Sequence, residues 1–88
     1  MGQLKKGLNG RLLKTTFINP NISLNLFRKY GRINGKFEIQ IKLPRYLLRI
    51  INRHENVEMA LSDYEEMLEK IGDGTPEEIS EFKGTFFV

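Results

Sequence analysis

The chain has 88 residues, 40% apolar and 28% charged, a balance that fits one small folded domain with a thin core. It contains no cysteine, which excludes disulfides, zinc–thiolate sites and thiol nucleophiles, and no apolar run approaches the ~20 residues that span a bilayer. The net charge of +3 hides a division: residues 1–53 carry twelve Lys or Arg against one acid, Glu38, and residues 54–88 carry two Lys against ten acids. Such asymmetry points to a basic surface for a polyanion, or to a match between halves or subunits. The N-terminus lacks the apolar core of a signal peptide, and Lys6 stands where a myristoylation signal wants Ser or Thr. A cytoplasmic protein with no membrane association is expected.

Residues 1–10 hold three glycines together with Lys5 and Lys6, and are expected to form a flexible basic arm. Residues 11–88 are expected to form a single α+β domain. Residues 11–18, RLLKTTFI, are rich in β-branched and aromatic side chains and predict a strand, ended by Asn19-Pro20-Asn21. Residues 22–33 alternate, with Ile22, Leu24, Leu26 and Tyr30 on one face. Asn34-Gly35 is the signal of a type I′ hairpin, and residues 36–43 then form a third strand. That turn pairs Tyr30 with Ile39, Arg28 with Ile41 and Leu26 with Leu43. Leu24, Leu26, Tyr30, Phe37, Ile39, Ile41 and Leu43 then share the core face. Ser23, Asn25, Phe27, Lys29, Lys36, Glu38, Gln40 and Lys42 share the other.

Pro44 suits the first turn of a helix. From Arg45 onward, Leu47, Ile50, His54, Val57, Leu61, Tyr64, Leu68 and Ile71 recur at steps of three or four. Two helices, over 45–55 and 58–71, are favoured over one of ~40 Å, which a domain this small could hardly cover. Ser62-Asp63-Tyr64-Glu65 looks like a capping box that starts a helix near Asp63, and Asn56 can also break the run. Gly72-Asp73-Gly74 stops the helix, and Thr75-Pro76-Glu77-Glu78 starts a short one. Thr85-Phe86-Phe87-Val88 predicts a terminal strand docked on the sheet, with Phe82, Phe86 and Phe87 read as core. The expected fold is therefore α+β: an antiparallel three-stranded meander with a type I′ hairpin, then two or three helices and a short C-terminal strand. The apolar helix face exceeds what one thin sheet can cover, so a homodimer is expected.

Catalysis finds little support. His54 with Glu58 has the i, i+4 spacing of a metal pair, but a lone histidine on an apolar stripe reads better as a half-buried side chain. The acids at Glu65, Glu66 and Glu69 read as a solvated helix face, and the glycines show no phosphate-loop spacing. Neither an enzyme activity nor a cofactor or metal is expected.

Residues 38–48, EIQIKLPRYLL, run from an alternating strand into a Leu-Pro-x-x-Leu helix start, and residues 61–68, LSDYEEML, follow with a Ser-Asp start. This pattern, over residues 36–71, resembles the ribbon-helix-helix family of DNA-binding proteins. The resemblance implies a dimer whose paired strands enter the major groove, with Glu38, Gln40 and Lys42 towards the base edges. The expected function is that of a small regulatory protein that binds nucleic acid, DNA before RNA, through a basic strand face. Its site residues are Lys29, Lys36, Glu38, Gln40, Lys42 and Arg45, with Lys5 and Lys6 gripping phosphates. The alternative is a small interaction module or inhibitor, of the kind viruses or phages encode, that holds an acidic protein by its charged faces or a sheet edge.

Overall fold

The computed structural model describes residues 10–31, 34–44 and 49–87. Among these, four antiparallel strands precede two helices: β1 (Gly10–Asn19), β2 (Ile22–Lys29), β3 (Phe37–Lys42), β4 (Arg49–His54), α1 (Val57–Ile71) and α2 (Pro76–Phe86). The strands form one sheet in the order β1-β2-β3-β4, each beside its neighbour in sequence. This corrects the expected fold in two places. A fourth strand stands where a helix over 45–55 was expected, and α2 runs on to Phe86 where a terminal strand was expected.

The fourth strand is hidden by a bulge. His54, Arg53 and Asn52 face Phe37, Glu38 and Ile39, after which Gln40 faces Ile50, so Ile51 is an extra residue on β4. The bulge breaks the two-residue alternation and leaves Ile51 and His54, three apart, as the half-buried positions of the strand. Helix faces step by three or four, so Ile50, Ile51 and His54 read as a helical stripe from the sequence alone. At the C-terminus a helix brings Phe82 and Phe86 to one side, with ring centroids 4.7 Å apart, and Phe87 follows at 6.1 Å from Phe82. A strand would have sent Phe86 and Phe87 to opposite faces.

The β2–β3 register is also corrected. Leu24 faces Ile41, Leu26 faces Ile39 and Arg28 faces Phe37, four residues from the expected pairing. The strands part at Lys29, whose N–H donates to the Lys36 carbonyl at 2.7 Å, so a longer loop takes the place of the two-residue turn. A shift of four preserves both faces. It also moves Arg28 from opposite Ile41, in mid-sheet, to the strand end, where its guanidinium stands 5.8 Å from the Phe37 ring centre. Tyr30, expected in the core, is exposed beside the loop.

Leu24, Leu26, Ile39, Ile41 and Leu43 form the buried face of the sheet. Helix α1 covers it with Ala60, Tyr64, Met67 and Ile71, spaced by four, three and four, and Phe82 of α2 completes the cluster. The α1 N-cap is Asn56, whose side-chain oxygen accepts from the N–H groups of Glu58 and Met59. Ser62 and Asp63 lie inside the helix and start nothing. The buried Tyr64 hydroxyl donates to the Leu24 carbonyl at 2.7 Å and shares a hydrogen bond with Thr16 Oγ1 at 2.8 Å, joining α1 to β2 and β1. Among the described residues, no helix is long and apolar enough to cross a membrane.

Candidate nucleic-acid interface

With the helices on one face, the other face of the sheet lies open. Register sorts its side chains into rows across the strands. Phe17, Ser23 and Lys42 form one row; Thr15, Asn25, Gln40 and Ile50 form the next; Leu12, Phe27, Glu38 and Arg53 form the third. Leu12, Thr15, Phe17, Ser23, Asn25, Phe27, Gln40 and Lys42 line a groove of ≈ 290 Å³. Its walls are apolar and its floor is polar. Phe17 is 69% exposed, and Leu12 is 51% exposed. On the floor, Thr15 Oγ1 donates to Asn25 Oδ1 at 2.9 Å, and Asn25 Nδ2 reaches Ser23 Oγ at 3.5 Å. These bonds fix the side chains that a ligand would meet.

The acid on this face is neutralised. Glu38 is buried, accepts from Arg53 Nε at 3.1 Å and accepts from Gln40 Nε2 at 3.0 Å. Its charge is matched by Arg53, and its oxygens are turned to neighbours. Gln40 and Lys42 thus lie in the groove, and Glu38 lies beside it as a positioning group. Lys29 and Lys36 meet at the other end of the strands, six residues from Lys42 along β3, or ~20 Å at strand rise. Lys5, Lys6 and Arg45 lie outside the described residues.

No protein-family model, curated protein or solved structure matches this chain. The site is therefore read from its chemistry. Sequence reasoning missed Leu12, Thr15 and Phe17, because two irregularities in β1, between Leu12 and Lys14 and between Phe17 and Asn19, hide its alternation. It missed Arg53 because β4 was read as helix. Phe27 carried a usable signal: an aromatic ring among Ser23, Asn25 and Lys29 on a polar face.

The one histidine is occupied elsewhere. His54 Nε2 donates to Asp63 Oδ2 at 2.7 Å, and Asn52 Nδ2 donates to the same oxygen at 2.7 Å, tying β4 to α1. His54 and Glu58 sit on different elements and not on one helix face. Among the described residues, no group of three or more His, Cys, Asp or Glu is arranged to hold a metal.

Proposed function

We propose that this protein is a cytoplasmic, non-enzymatic regulator that binds single-stranded nucleic acid on the open face of its sheet. The observation that carries this reading is the groove itself, with Phe17 exposed at its wall, a polar floor and Lys42 at its end. Bases stack on exposed aromatic rings whatever their identity, and a cation beside the rings holds the phosphate between them. The exposed Thr15 hydroxyl and the half-buried Gln40 amide are in reach of base edges, with buried Asn25 holding Thr15 in place. A duplex suits this surface less well. The major groove, ~12 Å wide, admits a helix or a two-stranded ribbon. Four strands ~4.8 Å apart span ~14 Å between their outer backbones, and β3 has a partner on each side.

The test is anisotropy titration of labelled single-stranded DNA, single-stranded RNA and duplex at two salt concentrations. Single strands should bind more tightly than duplex, and the DNA and RNA arms identify the preferred sugar. Phe17→Ala should cost ~1–3 kcal/mol, the worth of one stacked base, with no change in salt slope. Lys42→Ala should lower that slope by ~0.7, the value of one phosphate contact on a single strand. Gln40→Ala should weaken a preferred sequence only. No binding at low salt would overturn the reading and leave the groove to an acidic protein partner.

A further inference from the structure

The two edges of the sheet are unlike. Strand β4 is six residues long, carries Arg49, Arg53 and His54, and is held to α1 through Asn52 and His54. Short, charged and anchored, it is a protected edge. Strand β1 is ten residues long, and residues 11–15 are all exposed. It presents Leu12, Leu13 and Phe17 at 51%, 37% and 69% exposure. Backbone N–H and C=O groups along such an edge are a template for another strand.

We propose that the strand which pairs there is β1 of a second copy, antiparallel across a two-fold axis at Thr15, making one eight-stranded sheet. This interface is argued from the β1 edge, and its test does not require nucleic acid. Near-full overlap of two β1 strands leaves three registers. One places Lys14 against Lys14, and like charges directly opposite are destabilising. A second places each residue opposite one of the other face, so the helices of the two copies would lie on opposite sides of the sheet. The third places Thr15 against Thr15, Lys14 against Thr16, Leu13 against Phe17 and Arg11 against Asn19. It sets no cation against a cation, makes a threonine pair, and joins apolar side chains that are exposed in the single chain. The contact is self-complementary, as a two-fold dimer requires. Its central pairs, Thr15 with Thr15 and Lys14 with Thr16, lie in residues 14–17, the regular stretch of β1 between its two irregularities. It also brings the two open-face grooves side by side.

Because the chain has no cysteine, Thr15→Cys reports on this one pair. Directly opposed strand residues have Cα atoms ~4.5–5.5 Å apart, within the range a disulfide bridges. After nuclease treatment and a high-salt wash, the unmodified chain should sediment as a dimer at tens of micromolar. Thr15→Cys should oxidise to a covalent dimer, whereas Ser62→Cys, exposed on α1, should not. Leu13→Lys should yield a monomer with an unchanged circular dichroism spectrum. A monomeric unmodified chain would overturn the proposal. So would a dimer that Thr15→Cys does not cross-link, which holds whether or not Leu13→Lys folds.

Discussion

Gly35 shows how much one residue constrains the loop that ends β2. Its φ is 64°, its N–H donates to the Glu55 carboxylate, and an added Cβ would lie 3.1 Å from the Cβ and Cδ of Arg53. Left-handed backbone costs an L-residue ~1–2 kcal/mol before any crowding, and a β-branched side chain costs more. Gly35→Val should therefore lower the melting temperature by several degrees, and an unchanged melt would show that the loop is not held as described. Gly31 is the comparison: its φ is 78° but nothing lies within 4 Å, so Gly31→Ala should cost the backbone term alone. Tyr64 is constrained by burial. Its hydroxyl has one proton, which goes to the Leu24 carbonyl, so Thr16 must donate to it. Tyr64→Phe leaves the buried Leu24 carbonyl without its donor and should cost ~1–3 kcal/mol. Burial raises the Tyr64 pKa above its ordinary value of 10.0. The stability this gives is complete below the unfolded pKa and is lost as pH rises through the folded one. Urea melts near pH 8 and near pH 11 should show the gap between the unmodified chain and Tyr64→Phe narrowing at the higher pH. Equal alkaline losses in both would remove that assignment.

At the scale of elements, the start of α2 is the feature with the most direct chemical readout. Thr75 accepts from the Glu78 N–H, and Glu78 Oε1 accepts in return from the N–H groups of Thr75 and Asp73. Those backbone bonds, the one from Thr75 foremost, hold the Glu78 carboxyl below its ordinary pKa. The cap's contribution is present above the unfolded pKa and is lost as pH falls through the folded one. Glu78→Gln should flatten the acid limb of an α2 amide-exchange profile, and an unaltered limb would show the carboxylate is idle. This start was legible in the sequence because its signals are local: threonine, proline and glutamate at set spacings. The faces of β2 and β3 were legible for a similar reason, since alternation survives any even shift of register. The register itself was not, because it resides in the loop, and Asn34-Gly35 reads as a two-residue turn whether or not the chain uses it so. Strand β4 was illegible because its bulge at Ile51 replaces a period of two with a spacing of three. The candidate site divides along the same line. Gln40 and Lys42 could be read from β3, whereas Phe17 needed the path of β1 and Arg53 needed β4 to exist.

Across the whole molecule, charge follows architecture. The basic half of the sequence ends at Arg53 and the sheet ends at His54, so twelve of the fourteen cations lie in residues 1–53 and ten of the eleven acids lie in residues 54–88, where the two helices are. The ion pair between the layers at β1, Lys14 with Glu65 at 3.4 Å, is exposed and contributes little to stability. On the proposed reading, this division draws a polyanion towards the sheet and turns it from the helices. A charge change on α1 should then act on nucleic-acid binding at long range only, while one in the groove should act by contact. Screening separates the two, because the Debye length shrinks from ~30 Å at 0.01 M salt to ~8 Å at 0.15 M. Glu69→Lys, exposed on α1, should strengthen binding at the lower salt and lose most of that effect at the higher. Lys42→Glu should weaken binding at both. Anisotropy titrations of one single-stranded oligonucleotide against both variants, at both salts, decide the matter. If Glu69→Lys strengthens binding equally at the two salts, the polyanion sits against the helices and the open face of the sheet is not its site.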